Sequence, residues 1–331
     1  MGDRWVKVKG LLKYHEFYIC LIILAFGCIV QAVSGQFFTA NMAVSLCRYM
    51  MLPLFFAVGE MLAMVSVGTD VSFPAIAALS SFITTAYFKS IQYSGPVIIV
   101  FLAAGIIGFI LGMINGFIIA KWRFPTLIVT LGTSTFFIGI LNGPLKASNI
   151  SGIAPAMEQF GKKVLITTTS SVTGFQSKLP AAFLLVVVLY IAVYLIMKYT
   201  LAGRGIYAIG GSISSANNAG FHVNRLIFGI FAVIGMLAGI GGALTTCTNY
   251  TFNSVDLIGT EMDIIAAVLL GGVKPGKGIG GLRNAVLGVM LLKMVQNNLL
   301  ILGIPLYWQK AFTGIVIIVG MAISMRSIKE G

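Results

Sequence analysis

TLAGRGIYAIGGSISSANNAGFHVN, residues 200–224, is a polar, glycine-rich island between two long apolar runs. Its setting decides the fold, because the chain on either side reads as membrane. The island carries Arg204 and His222, and Arg225 follows just beyond its end. Loops with an excess of Lys and Arg stay on the cytoplasmic side, so this one is expected there. Its middle, Ser212 to Ala219, is small and polar and is expected to form a short surface helix. A structured small-residue element at the cytoplasmic face of a membrane protein reads as a docking element.

Composition supports the membrane reading. Hydrophobic residues make up 58% of the 331 and charged residues only 9%, against about a quarter charged in soluble domains. The net charge of +13 invites a nucleic-acid function, but the basic residues are spread over short loops rather than gathered in one stripe. They read as topology signals. Cys20, Cys28, Cys47 and Cys247 lie in or beside apolar runs with no paired or metal-like spacing, and read as packing residues. The first apolar run lacks a small-residue cleavage site, so it is expected to persist as a span.

Ten apolar segments are expected: 17–34, 42–66, 71–88, 96–120, 125–144, 180–198, 225–247, 262–273, 284–302 and 308–325. The third and eighth are short or broken. With the N-terminus in the cytoplasm, fourteen of the 22 Lys and Arg fall on cytoplasmic stretches. These are Arg4, Lys7, Lys9, Lys13, Lys121, Arg123, Lys198, Arg204, Arg225, Lys274, Lys277, Arg283, Arg326 and Lys329. Lys89, Lys146, Lys162, Lys163 and Lys178 fall outside. The bias places both termini in the cytoplasm. The expectation is therefore an all-α integral membrane protein, one transmembrane domain over 1–331. It has an external loop at 145–179, a lid, a docking rim or an ordinary connection, and a cytoplasmic loop at 199–224.

A faint repeat runs through this plan. Gly68-Thr69-Asp70 opens the third segment and Gly259-Thr260-Glu261 opens the eighth. Pro74 interrupts the first; Gly271, Gly272 and Pro275 end the second. Paired short, broken segments in two halves point to a transport path, and on this topology the triplets lie at opposite faces.

Charge inside a membrane is costly and faces a partner or a wet cavity. Glu60 is the deepest acid; it either lines a cavity or pairs with a base such as Arg48 or Lys293. Asp70 and Asp263 stand near segment ends, where an acid also favours a helix N-terminus. Lys293 is near enough to an end to snorkel. Gln296, Asn297 and Asn298, with Tyr307, Trp308 and Gln309 beyond a short turn, place amides beside aromatics; Asn249 and Tyr250 repeat the theme. Amides bond hydroxyls and aromatic faces pack on C–H faces, a pairing suited to a neutral polyol. Trp and Tyr also belong at membrane interfaces for their own sake. The candidate path residues are thus Glu60, Asp70, Asn249, Gln296, Asn297 and Trp308. No HExxH, GxSxG or P-loop motif occurs, and with only His15 and His222 no histidine-rich metal site is available. An enzyme is not expected, and any ATP hydrolysis must come from another polypeptide.

These residues resemble a known family, the permease subunits of ribose-type monosaccharide ABC importers, whose relatives also carry a furanose-like signal. The likeness covers nearly the whole chain. It rests on Thr200, Gly203-Arg204, Tyr207 to Gly211, Ala216, Gly220 and Val223 in the island. It continues through Phe124 to Thr133, Asp263 to Val268 with Gly271-Gly272, Leu302 to Ile304, Trp308 to Lys310 and Gly314 to Ile317. Two places depart: Phe73-Pro74 ends the stretch from Val67 where the family has a flexible end, and Lys277 and Asn284 stand where glycines are common.

The resemblance implies an importer of a monosaccharide or sugar-like solute in the bacterial cytoplasmic (inner) membrane. Two permease subunits, alike or not, would form the path, and an extracytoplasmic solute-binding protein would deliver the solute. Cytoplasmic ABC ATPase subunits would bind ATP and Mg, leaving no cofactor on this chain. Gly210, Gly211, Ser214, Ser215, Ala216, Asn217, Ala219, Gly220 and His222 would then form the coupling element seated in the ATPase. The rival readings are an ion-coupled secondary transporter with Glu60 or Asp70 as its cation site, and a scaffold subunit paired with an active homologue.

Overall fold

The computed structural model describes residues 15–170, 174–315 and 318. Arg4, Lys7, Lys9, Lys13, Ser171, Arg326, Lys329 and half of the expected last segment lie outside the described residues. The helices are α1 (His15–Ser34), α2 (Ala40–Ser66), α3 (Phe73–Ser90), α4 (Ile98–Trp122) and α5 (Thr126–Asn142). A small-element region follows: β1 (Ile150–Ser151), α6 (Pro155–Lys162), β2 (Val164–Thr169) and β3 (Gln176–Pro180). Then come α7 (Phe183–Tyr199), α8 (Leu201–Gly211), α9 (Ile213–Asn218), α10 (Val223–Asn249), β4 (Thr251–Phe252), α11 (Glu261–Leu270) and α12 (Leu282–Asn298). Residues 309–315 are again helical.

By length and composition, α1, α2, α4 and α10 are able to cross a membrane. The α7–α8 pair adds a fifth candidate if it is one bent span. In lipid every backbone polar group must be satisfied internally, which is why the apolar runs among the described residues are mainly helical. The chain is a helical membrane protein built around α2, whose apolar window is 89% buried, while that of peripheral α1 is only 22% buried. Helix α2 touches α7, α8, α10, α11 and α12 and both strands of the β2–β3 hairpin.

The connections gather at two ends. At the hairpin end, β1 pairs antiparallel with β4, and β2 with β3. Here Lys89 donates to the Ser151 carbonyl, Ser45 bonds Ser177, and the Ala156 N–H donates to the Tyr93 carbonyl. At the other end, the elbow end, the chain bends 75° between α7 and α8. Thr200 sits in the bend, accepting from Gly203 N–H at 3.1 Å and donating to the Ile196 carbonyl at 2.7 Å. The Tyr207 hydroxyl donates to the Gly280 carbonyl, the Arg123 guanidinium donates to the Asn224 side chain, and His15 bonds the Leu270 carbonyl.

The third segment is not itself broken, but a non-helical break adjoins each of the two short segments. Residues 67–72 separate α2 from α3, and 271–281 separate α11 from α12. Helix α11 has 10 residues, so it spans about 15 Å of a hydrocarbon core about 30 Å thick. Gly68 (φ +143°) and Gly259 (φ +94°) both adopt backbone that L side chains avoid, and their triplets do lie at opposite ends. Pro74 does not interrupt α3. It occupies the first turn, where a missing N–H costs nothing. The Asn284 departure has a local purpose: its side-chain amide donates to the Gly271 carbonyl at 2.8 Å, just past the end of α11. Phe73 is buried against the Phe56 ring, with centroids 5.2 Å apart.

The most extensive close crossing joins α4 and α10. A Cβ on Gly108 would lie 2.1 Å from the Gly235 carbonyl oxygen, on Gly112 2.3 Å from that of Phe231, and on Gly239 2.1 Å from that of Ala104. Small residues spaced by four let two backbones touch, the usual way to hold helices together where lipid removes the hydrophobic driving force. Gly112→Val is therefore expected to cost about 1–3 kcal/mol or more and to lower the melting temperature in mild detergent. Gly229→Val, on the same helix α10 but with no neighbour within 4 Å, is expected to leave it unchanged.

Candidate functional site

Two surfaces carry the sequence-derived candidates. The first is the elbow. The expected loop is mostly helix: α8 occupies Leu201–Gly211 and α9 occupies Ile213–Asn218. Ser212 separates them with an extended backbone and caps α9, its hydroxyl accepting from Ser215 N–H at 3.2 Å. Gly220, at φ +86°, turns the chain toward α10.

Of the nine coupling candidates, Gly211, Ser214, Ser215, Asn217, Ala219, Gly220 and His222 are exposed. Gly210 and Ala216 are not, and they do a different job. A Cβ on Gly210 would lie 1.9 Å from the Val65 carbonyl oxygen and 2.4 Å from Gly278 N, so Gly210 lets α8 touch the last turn of α2 and the second break. Ala216 is 1% exposed and seats α9 on the body. A cleft of about 380 Å³ opens beside it, lined by Ser66, Arg123, Pro125, Thr126, Gly210 to Ile213 and Gly276.

The second surface is a vestibule at the hairpin end, a pocket of about 410 Å³. Its polar lining is Arg48, Thr245, Thr248, Asn249, Asp256, Thr260, Asp263 and Lys293, with Tyr49, Pro53 and Phe56 among the apolar walls. Lys293 Nζ donates to Gln296 Oε1 at 2.8 Å, and Gln296 Nε2 donates to Asp263 Oδ2 at 3.2 Å. Asn249 Nδ2 donates to Asp256 Oδ2 at 3.2 Å. Donors and acceptors thus alternate around an open cavity, an arrangement that can satisfy several hydroxyl groups at once.

Of the path candidates, Asn249 lines the vestibule and Gln296 stands behind its wall. Asn297 is half-buried and outside the lining; Trp308 is 52% exposed beside Tyr307. Glu60 and Asp70 lie elsewhere, buried at the first break. The expected ion pair of Glu60 with Arg48 or Lys293 is not formed: those two bases line the vestibule, and Glu60 accepts the Asp70 backbone N–H instead. Asp70 stands two residues before the Ser72 cap rather than in the first turn of α3, whereas Asp263 does lie in the first turn of α11. Thr245, Thr248, Asp256 and Thr260 are lining residues that sequence reasoning passed over. The i, i+3 spacing of Thr245 and Thr248, beside Asn249, was a usable signal for one polar face. All four thiols are free. Among the described residues no group of three His, Cys, Asp or Glu side chains is placed to hold a metal ion.

The described residues thus form a glycine-knit helical bundle with two non-helical breaks and a polar vestibule. The family described as the branched-chain amino acid transport system / permease component matches residues 42–321, and the chain belongs to that family. It is a permease and a multi-pass protein of the inner membrane. The chain is 27% identical to the ribose import permease protein of Haemophilus influenzae, over 95% of this chain and 93% of that one. It is 29% identical to the D-allose transport system permease protein of Escherichia coli, over 94% and 91%. With the autoinducer 2 import system permease protein of an Enterobacter species it shares 26%, over 94% and 87%. No solved structure matches the chain.

The burial of Ala216 divides the elbow into anchor and surface. Ala216→Asp is expected to cost about 1–3 kcal/mol through an unsatisfied buried carboxylate and to make α9 an early site of proteolytic nicking. Ser214→Arg and Asn217→Arg, on the exposed side, are expected to leave melting temperature and nicking unchanged.

Proposed function

We propose that this chain forms the translocation pathway of an ATP-binding-cassette importer for a monosaccharide or sugar-like solute. The reading is carried by its end-to-end likeness to import permeases whose names specify ribose, allose and autoinducer 2. The vestibule supports it, because alternating amide, hydroxyl and charged groups suit a polyhydroxylated solute better than the apolar side chain of a branched amino acid.

On this reading the chain is a single transmembrane domain of ten segments, two of them broken, with both termini in the cytoplasm. The elbow end, with Lys121, Arg123, Arg204, Arg225, Lys274, Lys277 and Arg283, faces the cytoplasm in accord with the positive-inside rule. The exposed side of α9 docks the ATPase subunit, on which ATP and Mg reside; this chain binds no cofactor of its own for that step. The hairpin end faces outward, and residues 145–179 form the rim that receives the solute-binding protein. A second permease subunit, identical or related, completes the channel.

Pull-down of the tagged chain from mild-detergent membranes is expected to bring an ABC ATPase with it. Ser214→Arg and Asn217→Arg are expected to reduce that recovery at least tenfold without loss of the folded permease. A partner-free protein whose uptake collapses with an ionophore would instead favour ion-coupled secondary transport. Sidedness has its own check. In intact cells a membrane-impermeant maleimide is expected to label Lys178→Cys and to reach Ser214→Cys only after lysis; the reverse pattern would overturn the orientation.

A further inference from the structure

One group of side chains belongs to neither the elbow nor the vestibule. Glu60 on α2 and Asp70 in the first break are 0% and 1% exposed. The Asp70 backbone N–H donates to the two oxygens of the Glu60 carboxylate at 3.4 and 3.2 Å. The backbone N–H and hydroxyl of Ser72 donate to Asp70 Oδ1 at 2.7 and 2.6 Å. Asn115, fully buried on α4, donates from Nδ2 to the Ser72 hydroxyl at 2.7 Å. Asp70 Oδ2 and Asn115 Oδ1 have no hydrogen-bond partner. Among the described residues no Lys, Arg or His forms an ion pair with either acid.

Two carboxyl groups buried side by side without a base are electrostatically incomplete. An unpaired buried charge is heavily disfavoured, and a second like charge nearby adds repulsion that low dielectric magnifies. Asn115 separates this group from a bare pair of acids. It comes from a different helix, it is neutral, and it brings an unpartnered acceptor to within one hydroxyl of Asp70. The unfilled capacity is oxygen only: two carboxylates and an amide oxygen beside a hydroxyl. Such donors suit a hard cation. Only two of these oxygens, Asp70 Oδ2 and Asn115 Oδ1, have no hydrogen-bond partner, far short of the six or more free oxygens that calcium takes, so the supply points to an occupant with a small coordination demand.

We propose that Glu60, Asp70, Ser72 and Asn115 form a buried site for one monovalent cation, a proton or a sodium ion, that closes the break between α2 and α3. Its position gives it a task. Val71 N–H donates to the Thr130 hydroxyl at 3.2 Å, so α5 also grips the break. Filled, the site ties α2 to the break through both acids; emptied, like charges drive them apart. The site does not rest on the identity of the carried solute or on the ATPase partner, so its failure would leave the permease reading standing.

The test uses the full-length chain in mild detergent. Melting temperature is followed as sodium chloride replaces choline chloride at constant ionic strength, and infrared spectra are examined for a buried protonated-carboxyl stretch. A sodium occupant gives a saturable rise in melting temperature that Asp70→Asn abolishes. A proton occupant gives a carboxyl band, slow to shift in deuterated water, that Glu60→Gln or Asp70→Asn removes. A wild-type chain with neither signal overturns the proposal, as does a signal that both variants retain. Glu60→Gln keeps the shape of a protonated glutamate, so it is the variant to use if Asp70→Asn does not fold. The absence of both signals in the wild type is decisive without any variant.

Discussion

Everything at the elbow end depends on how the last turn of α2 finds hydrogen-bond partners. A helix terminus leaves carbonyls without intrahelical donors, and inside a membrane protein no bulk water replaces them. The Ala63 carbonyl accepts from Val67 and Gly68 N–H, which bends the chain into the first break. The next two carbonyls are satisfied from far away: Met64 accepts Gly276 N–H at 2.7 Å and Val65 accepts Gly278 N–H at 3.1 Å. The second break therefore caps the helix that precedes the first. Neither could sit where it does without the other, and α2 is fixed at the centre because its end is held by backbone from the second half.

Glycine makes this mutual cap possible. Gly276 and Gly278, at φ +62° and +63°, hold a backbone that L side chains rarely adopt. A Cβ on Gly278 would meet the Tyr207 carbonyl oxygen at 2.5 Å. Gly210 supplies the matching absence on α8. Three segments distant in sequence thus meet backbone to backbone, just as α4 and α10 do. Such contacts are short, directional and intolerant of added volume, so the bundle is defined by where side chains are missing as much as by where they are.

The sequence was legible where one physical rule dominates. Apolar runs gave the helices, because lipid leaves the backbone no alternative. Gly271, Gly272 and Pro275 marked the second break, and Ser212 to Ala219 gave α9. The misreadings fall where tertiary contacts decide. Residues 200–211 look like loop because glycines lower helix propensity, yet α8 forms because Thr200 caps it and Ile206, Ile209 and Gly210 bury one face. Pro74 looks like an interruption, since sequence alone does not say on which residue a helix begins. Glu60 looks like half of an ion pair, and only the folded chain shows its nearest polar neighbour to be a backbone N–H and another acid. The vestibule was half visible: Asn249 and Gln296 stood out as amides in apolar runs, while Asp263 and Lys293 each had a local explanation that hid their joint link through Gln296.

The packing also bears on how docking at the elbow would reach the path. On the proposed function, a partner seated on α9 acts on a six-residue helix anchored by Ala216. That helix continues directly from α8, and α8 touches the Val65 carbonyl through Gly210. Val65 lies one turn and a half beyond Glu60 on the same helix, and the break that follows it carries Asp70. A displacement of α8 therefore cannot be absorbed at the surface. It must open the Gly278 cap, move the end of α2, or shift the break. Packed interfaces of this kind change by switching between discrete arrangements rather than by bending continuously. The close contact at Gly210 is what forces the choice, and it places the switch beside the two buried acids rather than at the vestibule.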